Sequence, residues 1–320
     1  MKIIHGLEQF NIDGETAVSI GKFDGIHLGH KKLVENLLAQ KKRGLKSVVF
    51  TFDPDPGTFF SGRQMPILMT IDEKRRWFEK NEIDILVEFP LNNRTAVTPP
   101  EAFIEDILSD SLHAKFISAG MDVSFGDRGK GDYHLLQKMA GSYGYELSLI
   151  PKVRIEGKEI SSTYVRSEVA AGNMEMATKL LGCPYQVSGI VEHGRSFGHT
   201  IGIPTVNLLP EKGKLLPPNG VYYSYVYIDG IKHNGMTNIG CKPTVSNSGQ
   251  VGVETFIYDF NENIYGEFIE VQLLSYRRAE MHFDSIEALK NQMNKDVSDG
   301  VIFHEKYEKD SLQEPSSVVK

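Results

Sequence analysis

Strand-like and helix-like segments alternate along the first half of the chain. Residues 17–24 (AVSIGKFD) predict a strand that leads into a glycine-rich turn, and residues 28–44 place Leu33 and Leu37 on one helical face. The elements predicted after them are strand 46–52, helix 71–81, strand 83–89, helix 99–110, strand 115–119, helix 132–143 and strand 145–150. This alternation predicts a doubly wound parallel sheet with helices on both faces, which binds ligands at the carboxyl ends of its strands.

The second half shows a different pattern. From Tyr185 onward, the strand-like runs QVSGIVEH, VYYSYVYID, VGVETFIYDF and FIEVQLLSY are separated by Gly, Pro and Asn clusters. Short strands at this spacing predict a small antiparallel β-barrel, and one long helix over 284–309 follows it. The Gly-Cys-Pro break at 182–184 separates the patterns. We therefore predict domains at 1–183 and 184–310 and a flexible tail at 311–320.

Composition narrows the class of protein. The 320 residues carry 35 Lys and Arg against 42 Asp and Glu, a net charge of −7, which gives no sign of a nucleic-acid partner. No apolar run approaches the roughly 20 residues that cross a membrane. Cys183 and Cys241 are the two cysteines, too few for a disulfide framework or a cysteine zinc cluster. We expect a cytoplasmic protein without membrane partners, as a monomer or weak homo-oligomer.

The sharpest local motif is GKFDGIHLGH at 21–30, between a predicted strand and a predicted helix. A helix start offers free backbone N–H groups and a positive dipole end, which favour an anion. His27 and His30 are three residues apart, so both imidazoles can face one side of the first turn. Glycines at 21, 25 and 29 allow the backbone to approach a nucleotide closely. The motif therefore predicts a triphosphate site.

A second helix start lies in ISSTYVRSEV at 160–169. Ser161, Ser162 and Thr163 are suitable N-cap residues, and their hydroxyls can hold a phosphate. Arg166, about one turn into the helix, adds a guanidinium fork for the same phosphate. This segment predicts a further part of the anion site in the first domain.

The third motif is HGRSFGHTIGIPTVNL at 193–208. Gly194, Gly198 and Gly202 recur every four residues and can form a loop that covers phosphates. Thr205 and Asn207 offer a hydroxyl and an amide oxygen, which are hard ligands of the kind that Mg²⁺ accepts beside nucleotide phosphates.

Glu254 is a lone carboxylate in the otherwise apolar and aromatic strand VGVETFIYDF. A carboxylate in such a strand can accept the proton of a substrate hydroxyl. Taken alone, a strand glutamate more often points toward solvent, so the role of Glu254 depends on the other motifs of the second domain.

These motifs together resemble the bacterial bifunctional riboflavin kinase/FAD synthetases. In the first half the resemblance rests on GKFDGIHLGH, TFDPDP (51–56), GMDVSFGDRGKGD (120–132) and ISSTYVR. It implies an FMN adenylyltransferase in which the FMN phosphate attacks ATP directly, Mg²⁺ assists and pyrophosphate leaves. The residues that it implies bind ATP are Gly21, Lys22, Phe23, Asp24, His27, His30, Ser162, Thr163 and Arg166. Asp122 would lie toward the flavin.

In the second half the resemblance runs through GHTIGIPTVNL, LPPNGVYYSYV, MTNIGCKPTV, VETFIYDFNENIYG and YRRAEMHFDSIEALKNQMNKD. It implies a riboflavin kinase that uses ATP and makes FMN, the substrate from which FAD is then formed. The implied roles are ATP binding by Gly194, Gly198, His199, Gly202, Pro204 and Thr205, Mg²⁺ binding by Thr205 and Asn207, proton acceptance by Glu254, and flavin binding by Asn238, Arg278 and Phe283.

Four segments depart from the family pattern. Asp55 replaces a histidine, Val123-Ser124-Phe125 replaces an aromatic–basic–aromatic run, residues 63–70 (RQMPILMT) lack the usual Pro-Pro-Lys-type loop, and His199 replaces an arginine. A carboxylate at position 55 would repel an incoming phosphate. Two alternatives therefore stay open beside the bifunctional enzyme: a protein that keeps only one activity, foremost the kinase, and a flavin- or nucleotide-binding regulatory protein.

Overall fold

The computed structural model describes residues 1–193, 202–241 and 251–313. The chain forms two compact units, Met1–Val165 and Arg166–Lys320. This division lies 18 residues before the sequence-based boundary at 183/184 because the helices that precede the barrel belong to the second unit.

The first unit is built on a parallel sheet of six strands in the order β1-β4-β3-β2-β5-β6. The strands are β1 (Lys2–His5), β2 (Thr16–Ile20), β3 (Lys46–Asp53), β4 (Ile85–Pro90), β5 (Ala114–Gly120) and β6 (Glu146–Ile150). A short hairpin of β7 (Arg154–Ile155) and β8 (Lys158–Glu159) follows.

Helices connect these strands. They are α1 (Leu28–Ala39), α2 (Pro56–Ser61), α3 (Ile71–Lys80), α4 (Pro100–Ala102), which continues as a π-helix over Phe103–Ser111, and α5 (Tyr133–Tyr143). The 3₁₀ turns are Gln40–Arg43, Thr95–Val97 and Asp127–Gly129. α3 begins with a reciprocal cap, since the Thr70 hydroxyl accepts the Glu73 N–H and the Glu73 carboxylate accepts the Thr70 N–H.

Both faces of the sheet are buried. Successive strand residues point to opposite faces, so Val48 and Phe50 join one apolar core while Val49 joins the other. The first core also contains residues of the π-helix and α5, and the second contains residues of α1 and α3. The carboxyl edge of the sheet is left for a ligand.

The second unit is a closed antiparallel barrel in the order β10-β13-β12-β11-β14-β9. Its strands are β9 (Tyr185–Glu192), β10 (Val206–Leu208), β11 (Gly220–Ile228), β12 (Ile231–Cys241), β13 (Val251–Ile257) and β14 (Phe268–Arg278). The helices near it in sequence are α6 (Ser162–Ala170), which spans the division between the units, α7 (Met174–Leu181) and α8 (Ile286–Gln313). α7 packs on β9 and β14.

The two faces of the barrel wall differ in chemistry. Inside, the hydroxyls of Ser224, Thr237 and Thr255 form a buried chain with O···O distances of 2.8 and 2.9 Å. Outside, Tyr223 packs with Phe303 of α8 in an apolar cluster to which Phe256 belongs. Residues two positions from Phe256 on β13, Glu254 among them, share this outer face.

The predicted fold class, a doubly wound parallel sheet followed by a small antiparallel barrel and a carboxyl-terminal helix, is confirmed. The sequence patterns did not predict β1 or α7. Across the described residues, no helix combines the length and the apolar character that crossing a membrane requires.

Candidate active sites

The turn between β2 and α1 has an unusual backbone. Phe23 and Ile26 have positive φ angles of 48° and 37°, and Gly25 has a φ of 83°. A Cβ on Gly25 would lie 2.7 Å from Leu68 Cδ1, so only glycine fits there. Strained residues persist where the surrounding packing enforces them, and they concentrate at functional sites.

His27 and His30 form a stacked pair at the start of α1. Their ring centroids are 3.9 Å apart with an interplanar angle of 15°. His27 is the N-cap, and its Nδ1 accepts the backbone N–H of His30 at 3.4 Å. Because Nδ1 is the acceptor, the ring proton of neutral His27 lies on Nε2, where it is free to donate to a ligand.

Burial keeps both imidazoles neutral. It lowers the pKa of His27 to about 4, against a smaller opposing effect of Asp122. Burial, followed by the nearby charges of His27 and Lys74, also holds the pKa of His30 well below its ordinary value. Both rings therefore act near neutral pH as hydrogen-bond donors without positive charge.

Two other residues of the motif, Phe23 and Asp24, make contacts within the protein. Phe23 is fully buried and packs on the His30 ring with centroids 5.1 Å apart. The Asp24 carboxylate accepts the backbone N–H groups of Leu68 and Met69 at 2.8 and 3.1 Å. Neither side chain lines the cavity, in contrast to the direct nucleotide contact expected from the motif.

A cavity of about 590 Å³ opens at the carboxyl edge of the sheet. The sequence-predicted residues that line it are Gly21, Lys22, His27, His30, Asp122 and Ser162. Ser162 also donates its hydroxyl to the Asp24 carbonyl at 2.8 Å, which ties residue 162 to the turn. Thr163 is exposed and does not line the cavity, and Arg166 belongs to the second unit.

The cavity also has lining residues that sequence analysis missed. They include Phe60, Thr95, Phe103, Arg128 and Lys152. Lys152 lies 3.0 Å from Glu159 and 3.8 Å from Asp122, so Asp122 faces a cation across the rim. The motif GDRGKG, with a cation between glycines, was the available signal for Arg128.

Asp55 has a structural role that its sequence position did not indicate. Its Oδ1 accepts the Gly57 N–H at 2.7 Å and caps α2. Gly57 and Phe60 of α2 line the cavity, so this cap helps to hold one wall. The predicted repulsion between Asp55 and a flavin phosphate stays a prediction.

In the second unit, three polar residues face one another across three strands. Asn207 on β10 lies directly opposite Glu254 on β13, and Glu254 lies directly opposite Asn238 on β12. Directly opposed residues of antiparallel strands place their side chains on the same face, about 4.5–5.5 Å apart. The fold thus brings together residues that are separated by up to 47 positions in sequence.

Asn207 carries an unused acceptor. The residue is 5% exposed, and its Oδ1 has no hydrogen-bond partner within the described part of the chain. A buried amide oxygen beside a carboxylate fits a hard cation such as Mg²⁺. The described residues contain no group of three or more His, Cys, Asp or Glu side chains placed to hold a metal.

A second cavity, of about 370 Å³, includes Val206, the sequence neighbour of Asn207, in its lining, but Asn207, Glu254 and Asn238 themselves do not line it. Pro204 and Thr205 line it, together with Phe260, Asn263 and Tyr265, which sequence analysis missed. Gly202 adopts a φ of 80°. The remaining predicted nucleotide residues, Gly194, Gly198 and His199, lie outside the described residues.

Arg278 has a partner that sequence analysis did not anticipate. Its guanidinium forms a fork with Asp296 of α8, with Nε–O distances of 3.0 and 3.2 Å. Arg278 lies opposite Val221, which in turn lies opposite Asn238, so the pair extends the polar row toward α8. Phe283 is half-buried in the segment before α8. Flavin binding by these residues stays a prediction.

Two family models match the chain, one over each half. The model described as FAD synthetase matches residues 9–164, and the model described as riboflavin kinase matches residues 181–301. The class is therefore a two-domain transferase that joins a nucleotidyltransferase sheet to a kinase barrel.

Curated relatives match nearly the whole chain. The bifunctional riboflavin kinase/FMN adenylyltransferase of Haemophilus influenzae is 34% identical over 95% of this chain and 99% of its own length. The Escherichia coli K12 protein of the same name is 36% identical over 92% of this chain and 94% of its own. The chain belongs to the bifunctional riboflavin kinase/FMN adenylyltransferase family.

A solved structure agrees with this fold. A Streptococcus pneumoniae structure, described as a macrolide-efflux protein, has a TM-score of 0.81 and 31% identity. The match covers 92% of this chain and 97% of the other.

Proposed function

We propose that the second unit phosphorylates riboflavin to FMN and that the first unit adenylylates FMN to FAD, with ATP as the donor in both reactions. The observation that carries the proposal is the similarity to bifunctional relatives over both halves of one chain. The polar row on the barrel and the histidine pair on the sheet supply matching chemistry.

In the kinase reaction, the 5′-hydroxyl oxygen of the ribityl chain forms a bond to the γ-phosphorus of ATP, and the bond to the ADP oxygen breaks. Glu254 takes the proton of that hydroxyl. Asn207 and Thr205 would hold Mg²⁺, which neutralises charge on the phosphates. Asn238, opposite Glu254, orients the carboxylate or the hydroxyl by donating a hydrogen bond.

In the adenylyltransferase reaction, a phosphate oxygen of FMN forms a bond to the α-phosphorus of ATP, and pyrophosphate leaves. No side-chain nucleophile is needed, so catalysis is alignment and charge stabilisation. The His27 Nε2–H and the free N–H groups of α1 donate to the nucleotide phosphates. Lys22 at the same turn adds positive charge, and Mg²⁺ with ATP would add more.

The assay that tests the proposal supplies purified protein with riboflavin and MgATP and separates the flavins by chromatography. FMN followed by FAD is expected. FMN alone would leave a kinase with an inactive first unit, and conversion of neither flavin would favour a regulatory flavin- or nucleotide-binding protein. The cytoplasmic location, the monomeric or weakly oligomeric state and the absence of membrane and nucleic-acid partners stay predictions.

A further inference from the structure

Arg128 lies on a loop that presents it to the first cavity. Its side chain is exposed and lines the cavity, and its backbone has φ and ψ angles of 50° and 30°. An arginine in this left-handed region costs about 1–2 kcal/mol relative to the right-handed one. The nearest carboxylate in sequence, Asp127, pairs with Lys130, whose hydrogen bond lowers the pKa of Asp127, and the Arg128 charge adds to this lowering. Within the described residues, the Arg128 guanidinium forms no hydrogen bond or ion pair.

The loop that carries Arg128 is locked at both ends. Phe125 and Gly131 exchange two backbone hydrogen bonds of 3.1 and 2.9 Å, and a Cβ on Gly131 would lie 2.5 Å from the Phe125 ring. The Asp127 N–H donates to the Thr98 carbonyl at 2.7 Å. A Cβ on Gly126 would lie 2.8 Å from Pro100 Cα. Because the loop closes on itself and on residues 98–100, the position of the Arg128 backbone is fixed rather than adaptable.

The cavity needs permanent positive charge. Both reacting groups are phosphates, while burial keeps His27 and His30 neutral. The described cations that line the cavity, apart from the histidines, are Lys22, Arg128 and Lys152, and Lys152 is already paired with Glu159. Lys22 lies in the turn before α1, on the side where the nucleotide phosphates are proposed to bind.

The residues around the Arg128 loop form an apolar part of the cavity lining. The loop is anchored to residues 98–100, and the neighbouring segments supply Thr95, Ala96 and Phe103 to the cavity wall. With Phe125 of the loop itself, this wall is largely apolar and suits a flavin ring rather than a triphosphate. The Arg128 guanidinium, which forms no hydrogen bond or ion pair within the described residues, therefore lies beside a lining that suits a flavin ring.

We propose that Arg128 binds the phosphate of the incoming flavin and makes the first site select FMN over unphosphorylated riboflavin. A guanidinium binds a phosphate dianion through two parallel hydrogen bonds. This inference rests on the proposed adenylyltransferase function of the first unit, and it assigns the phosphate subsite of that reaction to Arg128.

The test compares FAD formation from FMN and MgATP in full-length wild type, Arg128→Met, Arg128→Lys and Arg128→Gly. Loss of a charge-assisted pair with phosphate raises the KM for FMN by about 10- to 100-fold in the Met and Gly variants, with the KM for ATP changed less than twofold. Arg128→Lys recovers part of the affinity. Arg128→Gly relieves the positive φ, so it separates loss of the guanidinium from loss of folding.

Lys138→Met is the matched control, since it removes one exposed positive charge from α5 away from the cavity. The control and all Arg128 variants keep wild-type riboflavin phosphorylation. A rise in the KM for ATP instead of FMN would assign Arg128 to the nucleotide and overturn the inference, as would unchanged kinetics in Arg128→Gly. If wild type forms no FAD, the adenylyltransferase proposal itself fails, which is a different result from an unaffected variant.

Discussion

Asn207 and Glu254 face each other across the β10–β13 pair, and the amide oxygen of Asn207 is buried without a hydrogen-bond partner among the described residues. Natural proteins rarely leave a buried acceptor unused, so we expect this pair to serve a ligand. The two residues combine a cation ligand with a proton acceptor on the same strand pair. This arrangement suits transfer of a phosphoryl group to a hydroxyl.

Replacing the proposed base tests the kinase mechanism. Glu254→Gln keeps the size of the side chain but cannot take a proton, so kinase kcat is expected to fall by about 10²- to 10⁴-fold. FAD formation from supplied FMN is expected to stay unchanged. Glu270→Gln on β14 is the matched control, because it removes a carboxylate from another strand of the same barrel. A near-normal kinase rate in Glu254→Gln would show that another group accepts the proton.

The amide oxygen of Asn207, which has no partner among the described residues, gives a separate test of metal binding. Asn207→Leu removes the buried amide oxygen while keeping a similar side-chain volume, so it is expected to raise the Mg²⁺ concentration for half-maximal kinase activity by about tenfold or more. Titration of Mg²⁺ at fixed ATP measures this shift. Adenylyltransferase activity, which uses the other unit, serves as the internal control. An unshifted Mg²⁺ dependence with a lower kcat would place Asn207 outside the metal site.

The buried histidines predict how stability depends on pH. Folding lowers the pKa of His27 from its ordinary value to about 4, so the unfolded chain binds a proton that the folded chain does not. The free energy of unfolding therefore keeps its full value above about pH 6.5. It falls as the pH drops toward 4, and His27 accounts for a decrease on the order of 3 kcal/mol. His30 acts in the same direction.

The fluorescence of Trp77 measures this effect, because Trp77 is the single tryptophan of the chain and lies on α3 of the first unit. Denaturant titrations at several pH values are compared with those of His27→Asn, which keeps a side-chain acceptor at the N-cap but does not titrate. The variant should lose part of the pH dependence. An equal slope in both proteins would mean that His27 is not neutral in the folded state.

Two substitutions at Asp55 separate its structural role from its charge. Asp55→Asn keeps an oxygen that caps α2 and removes the negative charge, so the KM for FMN is expected to fall by about 5- to 30-fold, equivalent to ~1–2 kcal/mol of relieved repulsion. Asp55→His also removes the charge but weakens the cap by about 1 kcal/mol, so it gains less. Steady-state kinetics of FAD formation measure the KM for FMN in wild type and in both variants. Unchanged FMN kinetics in Asp55→Asn would refute the repulsion argument.

The division of the chain into two units predicts which isolated fragment folds and has kinase activity. On α7, Met174, Ala177, Leu180 and Leu181 are buried, and the helix packs on β9 and β14. A fragment of residues 166–320 is expected to fold and phosphorylate riboflavin. A fragment of residues 184–320 loses these contacts. Because fully burying one large apolar side chain contributes about 1.5–3 kcal/mol, we expect the shorter fragment to be several kcal/mol less stable.

Circular dichroism melting curves and the kinase assay compare the two fragments. Equal stability would restore the boundary at 183/184 that the sequence pattern predicted. A folded but inactive longer fragment would mean that the kinase needs the first unit.

Local patterns in the sequence determined much of this protein. The alternation of apolar runs predicted the parallel sheet and the barrel, because strand and helix periodicity depend on neighbouring residues. The helix starts at Leu28 and Ser162 were likewise predictable from cap residues and glycines. The edge of the sheet at which the first cavity opens could also be predicted, since motifs that follow parallel strands lie at one edge.

Only the tertiary structure decided the charge state and the partners of the candidate site residues. The neutral state of His27 comes from burial, and no spacing in the sequence reports desolvation. The register that sets Asn207 against Glu254 and the fork between Arg278 and Asp296 join residues from separate elements. The same holds for Arg128, whose exposure to the cavity depends on a loop locked by distant backbone atoms. Solvent exclusion and long-range packing are properties of the assembled fold, and they set the charge and partner of each side chain.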